Sequence, residues 1–501
     1  MVYNPDMHAA EKSDINIVPK KAPNKGGQPQ PVRGGAGGKD DDQGESLERT
    51  TVTCTQRQGK ASSGLERIRQ AAGRDKNLRF TSLLHHISKD LLREAYKALK
   101  RNAAPGIDNE TWQAYGEQLE QRLPKLHERV QSGRYRAKPS KRVWLPKSDG
   151  RKRPIGITAL EDKIVQQAVV WVLIQIYEKD FLGISYGFRP GRSQHNALDA
   201  VYVGITRRKV NWVLDADIKG FFDAISHKWL IKFMEHRIAD RRLIRLIRKW
   251  LRAGVSEEGQ WSKSTVGTPQ GSVISPMLAN IYLHYVLDLW VNKWRKAALG
   301  DVIIVRYADD FILGFQYKSE AEKLLKDLRQ RMAKFGLELH QEKTRLIEFG
   351  RFATTSREKR GDGKPETFDF LGFTHISAKT RKNKRFTIRR KTNAKRLRTK
   401  LKELRQEINK RRCIPIPNQG KWLRSVINGH LNYYAIPGNR RATDAFRTEV
   451  ARAWFKALRR RSQKARSLKW KKFKRLVKTW LPTAKVRHPY PDQRLCVTNP
   501  R

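Results

Sequence analysis

Two adjacent carboxylates, Asp309 and Asp310, interrupt the apolar segment Val302-Ile303-Ile304-Val305-Arg306-Tyr307-Ala308-Asp309-Asp310-Phe311-Ile312-Leu313-Gly314-Phe315. Apolar runs on either side of a polar turn predict a β-hairpin with the acids at its tip. Acids set between such strands are costly to bury unless a cation or a hydrogen-bonding partner compensates them. A third carboxylate, Asp217, ends the run Trp212-Val213-Leu214-Asp215-Ala216-Asp217, which reads as a strand. Magnesium takes oxygen ligands and few of them from protein, so two or three rigidly presented carboxylates suffice. The matching chemistry is in-line phosphoryl transfer by two ions about 4 Å apart, one activating a hydroxyl and one holding a triphosphate. Tyr-Ala-Asp-Asp alone is also an ordinary solvated turn, and its apolar flanks are what favour the buried, cation-holding reading. Alternation puts Asp215 on the same face as Asp217, so spacing does not choose between them. Asp223 reads as a structural hydrogen-bonding group.

The surrounding pattern supplies elements to hold these groups. Leu83, Leu84, Ile87, Leu91, Leu92, Tyr96 and Leu99 recur at helical spacing after Phe80, and Ala104-Pro105-Gly106-Ile107-Asp108 is a turn. Residues 142–147 predict a strand, followed by the turn Ser148-Asp149-Gly150 and the basic run Arg151-Lys152-Arg153. Buried or amphipathic helices are expected over Ile164–Tyr177, Leu230–Leu251, after Ser275-Pro276, and over Glu320–Phe335. Further strands are expected at Thr344–Phe349 and Phe368–Phe373. Strands and helices mixed in this way predict an α+β fold.

Charge narrows the partner. The 501-residue chain carries a formal net charge of +56, and a compact body with that surplus repels itself unless a polyanion binds. Nucleic acid is the expected partner. From Phe373 to the end there are 39 Lys or Arg against five acids, a surplus of +34. Leu397, Leu401, Leu404 and Ile408 keep helical spacing inside that basic stretch, with further helices expected over 420–435, 441–461 and 467–479. No run of about eighteen apolar residues exists, so no membrane span is expected. Cys54, Cys413 and Cys496 lie far apart without zinc-ligand spacing, which fits a reducing, cytoplasmic setting. Residues 1–75 offer few large apolar groups and read as a disordered basic segment.

Seven blocks, in order, resemble the reverse transcriptases encoded by bacterial group II introns, the maturase proteins. The resemblance runs from about Leu78 to Tyr434. Its blocks are Lys147…Arg151-Lys152-Arg153-Pro154-Ile155-Gly156-Ile157; Ser185-Tyr186-Gly187-Phe188-Arg189-Pro190-Gly191-Arg192-Ser193; Asp217-Ile218-Lys219-Gly220-Phe221-Phe222-Asp223; Thr268-Pro269-Gln270-Gly271-Ser272…Ser275-Pro276; the Tyr307–Asp310 hairpin; Gly336-Leu337…Glu342-Lys343-Thr344; and Phe370-Leu371-Gly372.

The resemblance implies a right-hand polymerase with fingers and palm, a basic α-helical thumb or maturase domain, and two Mg2+ ions. Asp217, Asp309 and Asp310 would be catalytic, with Ile218 beside them in the metal site. Lys147 and Arg153 would hold the incoming triphosphate, Phe222 would reject a 2′ hydroxyl, and Gln270 would lie near the nucleotide sugar and 3′ hydroxyl. Arg189, Arg192, Lys343, Leu371 and Gly372 would meet template or primer, the last two in a primer grip. Gly429, Tyr433 and Tyr434, in Asn428-Gly429-His430-Leu431-Asn432-Tyr433-Tyr434, match a maturase pattern expected to bind RNA. The same aromatics, with Trp422, Trp454, Phe455, Trp470 and Phe473, could equally pack between thumb helices.

The implied division is 76–210 for an N-terminal extension and fingers, 211–375 for the palm, 376–480 for the thumb, and 481–501 for a short basic tail. The Cys/His-bearing endonuclease module of many family members is not expected here. Implied partners are intron RNA in a ribonucleoprotein, RNA template, DNA target or primer, and dNTPs. A retron-type enzyme is the alternative, though Leu371-Gly372-Phe373-Thr374 stands where retrons usually carry Val-Thr-Gly. A splicing-only protein with a decayed polymerase site is the other, against which all three aspartates are present.

Overall fold

The computed structural model describes residues 62–146, 152–257, 260–262, 266–380 and 382–494. In chain order its main elements are α1 (Ser62–Arg74), α2 (Lys89–Ala98), α3 (Leu119–Gln131), β1 (Ser140–Pro146), β2 (Lys152–Ile157), α4 (Leu160–Asp180), α5 (Gln194–Arg207) and β3 (Trp212–Ala216). There follow α6 (His227–Glu235), α7 (Arg241–Arg252), β4 (Val255–Glu257), β5 (Gln260–Ser262), α8 (Ser275–Leu283), α9 (Leu289–Lys296), β6 (Val302–Tyr307), β7 (Asp310–Phe315), α10 (Lys318–Lys334) and β8 (Arg345–Glu348). The remainder is β9 (Phe368–Phe370), β10 (Phe373–Lys379), β11 (Phe386–Thr392), α11 (Ala394–Lys410), α12 (Ile416–Tyr434), α13 (Arg440–Arg459) and α14 (Trp470–Trp480). The strands form three sheets, ordered β2-β1-β4-β5, β6-β7-β3-β8 and β11-β10-β9. This is a mixed helix and strand fold. No described helix is long and apolar enough to cross a membrane.

The chain forms two compact units. One holds the described residues of 62–197 and 213–346, the other 198–212 and 347–494. In the first unit α4 is apolar around its whole circumference, with Ile164, Val165, Ala168, Val169, Val172, Leu173 and Ile176 all buried. A helix of that kind belongs inside the core, and α1 and α2 both pack on it. The expectation of disorder to residue 75 is corrected for 62–74. Leu65, Ile68 and Ala72 form one buried stripe, enough apolar surface to offset the ordering of three turns. Residues 1–61 lie outside the described part.

One expected helix, Leu230–Leu251, is two. Asp240 breaks it by capping α7, one carboxylate oxygen accepting from the Arg242 and Leu243 amides. Its other oxygen accepts from the Leu83 and Leu84 amides at 2.8 and 2.9 Å. The basic run was not foreseen as a strand, yet Lys152–Ile157 pairs antiparallel with β1, Arg153 opposite Leu145.

In the second unit β10 pairs with both β9 and β11. Helices α11 to α14 then build a core from Leu404, Leu423, Ile427, Leu431, Phe446, Val450, Trp454 and Phe473. The segment after α14 belongs to this body: Leu481, Ala484 and Pro491 are buried. The Arg494 guanidinium lies 2.8 Å from Asp199 on α5.

Candidate active site

The hairpin β6–β7 pairs in the register Val302↔Phe315 through Tyr307↔Asp310, with Ala308 and Asp309 at its tip. Both strands are buried along nearly their whole length, so the tip is held by packing from behind. Because β3 is the neighbour of β7 in the sheet, Asp217, one residue beyond β3, comes to the same place. A second strand-like segment fixes it there. The His340 amide donates to the Asp217 carbonyl at 2.8 Å, the Lys219 amide to the Glu338 carbonyl at 2.8 Å, and Ile218 bridges Leu339.

Burial raises the Asp309 carboxyl above its ordinary value, and the Asp217 carboxylate raises it further, while Arg153 and Arg306 oppose the shift. Two half-buried carboxylates beside one another fit a divalent cation, since a cation at their side offsets both desolvation and repulsion. In this arrangement the Lys343 ammonium hydrogen-bonds Asp217. Among the described residues no three His, Cys, Asp or Glu side chains are clustered tightly enough to hold an ion. Asp310 is exposed at the start of β7. The Ile218 side chain is an alkyl group buried in the core; with no oxygen of its own, it leaves only the backbone carbonyl as a ligand.

Arg153 and Gln270 come together. The Arg153 Nε donates to the Gln270 side-chain oxygen at 2.7 Å, and the Gly156 amide donates to the Gln270 carbonyl at 2.6 Å. The chains approach closely here: Gly271 has φ +108°, and a Cβ on it would lie 2.9 Å from the Gly156 oxygen. Phe222 lies against Phe221, the rings tilted by 60° with centroids 5.4 Å apart, and is 9% exposed. Its carbonyl accepts from the Thr268 amide at 2.8 Å, so the loop carrying Gln270 is docked on the turn carrying Phe222. Lys147 and Arg151 lie outside the described residues.

Several residues expected at nucleic acid are held by partners within the fold. The Arg189 side chain is 2% exposed. Its guanidinium is engaged by both Glu178 oxygens at 2.8 and 3.0 Å and by the carbonyls of Phe181, Leu182 and Ser185. Arg192 donates to the Gly183 carbonyl at 2.7 Å and lies over the Tyr186 ring. Burial and the Arg189 charge lower its pKa to about 10. These two arginines shape the loop, and the residue they leave outward is Phe188, 50% exposed with φ +56°. Lys343, expected at template or primer, is the partner of Asp217.

In the second unit, the Leu371-Gly372 turn has two consecutive left-handed residues, φ +47° and +79°. The Tyr433 hydroxyl donates to the Leu371 carbonyl at 2.8 Å. A Cβ on Gly372 would lie 3.1 Å from the Tyr434 hydroxyl. Tyr433 and Tyr434 therefore brace this turn while staying half-buried. Asn428 and Asn432 accept from Arg487 at 2.8 and 2.5 Å. Gly429 itself faces open space. Trp454 and Phe473 are fully buried, which is the packing alternative.

The residues that sequence reasoning missed are Arg306, Asp288 and Asn280, which surround the hairpin from inside. The available signal was a charge in an apolar strand (Val302–Phe315) and another in an apolar helix (Ile281–Val291).

Comparison with known proteins agrees with this geometry. Residues 145–375 match the family described as reverse transcriptase (RNA-dependent DNA polymerase). The chain is 34% identical to "Protein YkfC" of Escherichia coli over 310 residues, covering 55% of this chain and 81% of that protein. It is 34% identical to "Group II intron-encoded protein LtrA" of Lactococcus lactis over 294 residues, 56% of this chain but only 47% of that protein. "Nuclear intron maturase 4, mitochondrial" of Arabidopsis thaliana is 26% identical over 229 residues, 45% of this chain and 27% of that one. With residues 145–375 matching that family and most of one relative's length matched, the chain belongs to the reverse transcriptases, RNA-directed DNA polymerases.

Proposed function

We propose that this protein extends a primer with dNTPs on an RNA template using two Mg2+ ions at Asp217, Asp309 and Asp310. We propose also that it does so for a mobile group II intron, whose RNA it binds during splicing and retrohoming. The observation that supports the reading is the placement of Asp217, one residue beyond β3, beside the tip of the β6–β7 hairpin that carries Asp309.

Divalent ions are general to this family. Held by these carboxylates and the Ile218 carbonyl, Mg2+ would acidify the primer 3′ hydroxyl and neutralise the triphosphate. The primer oxygen then bonds to the α-phosphorus and pyrophosphate leaves. Arg153 offers its remaining guanidinium donors to phosphate oxygens, with Lys147 assigned beside it by family position. Gln270, oriented by Arg153, presents its amide to the sugar. The Phe222 ring fills the space that a 2′ hydroxyl would need. With a cation bound, Asp217 would no longer need the Lys343 ammonium, which would then be available to a backbone phosphate.

The proposed division is fingers over 76–210, palm over 211–375 and thumb over 376–480, with a bacterial cytoplasmic ribonucleoprotein as the setting. The surplus of +34 beyond Phe373 supports binding of the intron RNA there. Primer extension on an RNA template tests the polymerase reading. Asp309→Asn should lower turnover at least about 100-fold, because a charged ligand is lost. The melting temperature should hold or rise, because a neutral amide replaces a buried carboxylate facing Asp217. Undiminished extension by the variant would refute the site. Splicing of the parent intron at low magnesium should be faster with protein than without, and equal rates would remove the splicing role.

A further inference from the structure

We infer that Arg306 is a positioning residue of the catalytic hairpin, acting through the Ala308 carbonyl to aim Asp309; the inference rests on the catalytic reading of Asp309. Arg306 and Asp288 are both fully buried. Their forks meet in two bonds, Nε to Oδ1 at 2.7 Å and Nη2 to Oδ2 at 2.5 Å. A pair of this kind could be a plain core staple, but Nη1 does something a staple does not need. It donates to the Ala308 carbonyl at 3.0 Å and to the Asn280 side-chain oxygen at 3.0 Å.

The Ala308 carbonyl belongs to the peptide group that leads into Asp309. Holding that oxygen fixes the peptide plane, and the plane sets the direction in which the Asp309 side chain leaves the backbone. The turn requires such a hold, because Ala308 sits at φ +57°, a left-handed conformation that an alanine adopts only under constraint.

Two further features converge on the same point. Asn280 donates to the Gly187 carbonyl at 2.8 Å, and a Cβ on Gly187 would overlap the Ala308 nitrogen. The loop 184–187 is tied to the same strand, the Arg306 amide donating to Ile184 and the Tyr186 amide to the Arg306 carbonyl, both at 2.9 Å. Asp288 ends a π-helical turn, His284–Asp288, between α8 and α9. Such wide turns are often found at functional sites, and here the turn carries the carboxylate that orients the guanidinium. Asp288 also cancels the Arg306 charge. Lysine cannot replace this fork, since a single ammonium cannot serve both carboxylate oxygens and the hairpin carbonyl.

The test compares wild type, Arg306→Lys, and Arg306→Lys combined with Ala308→Gly. For Arg306→Lys we expect kcat to fall about 10- to 100-fold with dNTP KM within about threefold. Amide hydrogen exchange should quicken in segments 302–315 and 184–188 while the rest of residues 62–346 keeps its rates. Glycine takes a positive φ without strain, so the double variant should regain at least about threefold of the lost turnover. Should Arg306→Lys not fold, Asn280→Ala is read by the same local exchange and the same kcat-against-KM split. Undiminished kcat, exchange that quickens uniformly, or no recovery with glycine would each overturn the inference. Failure of the wild type to extend a primer would instead sink the catalytic reading itself.

Discussion

Arg153 acts as a hinge between charge and recognition. One face of its guanidinium orients Gln270 at 2.7 Å, and its charge eases the ionisation of Asp309. The two side chains should therefore behave as one unit toward a nucleotide. Arg153→Ala and Gln270→Ala are each expected to raise dNTP KM, and the double variant should cost less than the sum of the singles. Neighbours in one hydrogen-bond network couple by about 0.5–3 kcal/mol. Steady-state kinetics over the four-member cycle measures this, and strict additivity would dissociate the pair. At this scale the sequence made the hairpin and the strand before Asp217 legible, because apolar runs flank their acids. It did not show that the Arg189 and Arg192 guanidiniums donate to carbonyls of their own loop, because those contacts form only when the loop folds back on itself.

Among elements, the β9–β10–β11 sheet and α12 each hold a histidine, His375 buried and His430 half-buried, whose protonation should govern stability. His375 stacks on Phe368 with centroids 4.6 Å apart, and burial followed by the Arg390 charge lowers its pKa to about 3. His430 stacks on Phe446 at 3.6 Å, and burial lowers its pKa to about 4. Both are neutral in the folded protein, whereas an unfolded histidine titrates near 6.5. The stability they contribute is thus complete above about pH 6.5 and is lost as pH falls toward the folded pKa values, since the unfolded chain binds the protons first. Each should cost about 1.4 kcal/mol per pH unit across that interval. Melting curves from pH 7 to 4.5 should show this, and His375→Phe, which keeps the stack, should flatten the slope by one proton. An unchanged slope would exclude His375 as the titrating group. Periodicity announced the helix beneath His430, but β11 was not foreseen, because the basic Phe386–Thr392 reads as solvated until β10 pairs with it.

For the molecule as a whole, the +56 charge makes association with RNA a counterion-release equilibrium. The apparent binding constant should fall linearly with salt on logarithmic axes. If six to ten phosphates are neutralised, it should drop by about 10³–10⁵ between 50 and 200 mM salt. Filter binding of intron RNA across that range checks the expectation, and a flat line would mean that the charge serves something other than phosphate contact. The same charge is spread unevenly along the chain, and the second unit combines it with a conventional apolar core. Basic residues line helices whose other faces hold Leu423, Ile427, Trp454 and Phe473.

The sequence by itself determined a hairpin between apolar runs with two acids at its tip, a strand leading into further acids, and a large positive charge. These are local facts, since strand alternation, turn residues and net charge depend on near neighbours in the chain. Only the tertiary structure decided which charges face solvent and which are sealed inside. Arg306 and Asp288 look like surface charges out of place until the fold removes them from water together. Tyr433 and Tyr434 look like stacking platforms until the Leu371-Gly372 turn lands beneath them. Burial and pairing arise from residues distant in sequence, and their energetic consequences appear only when the core closes around them.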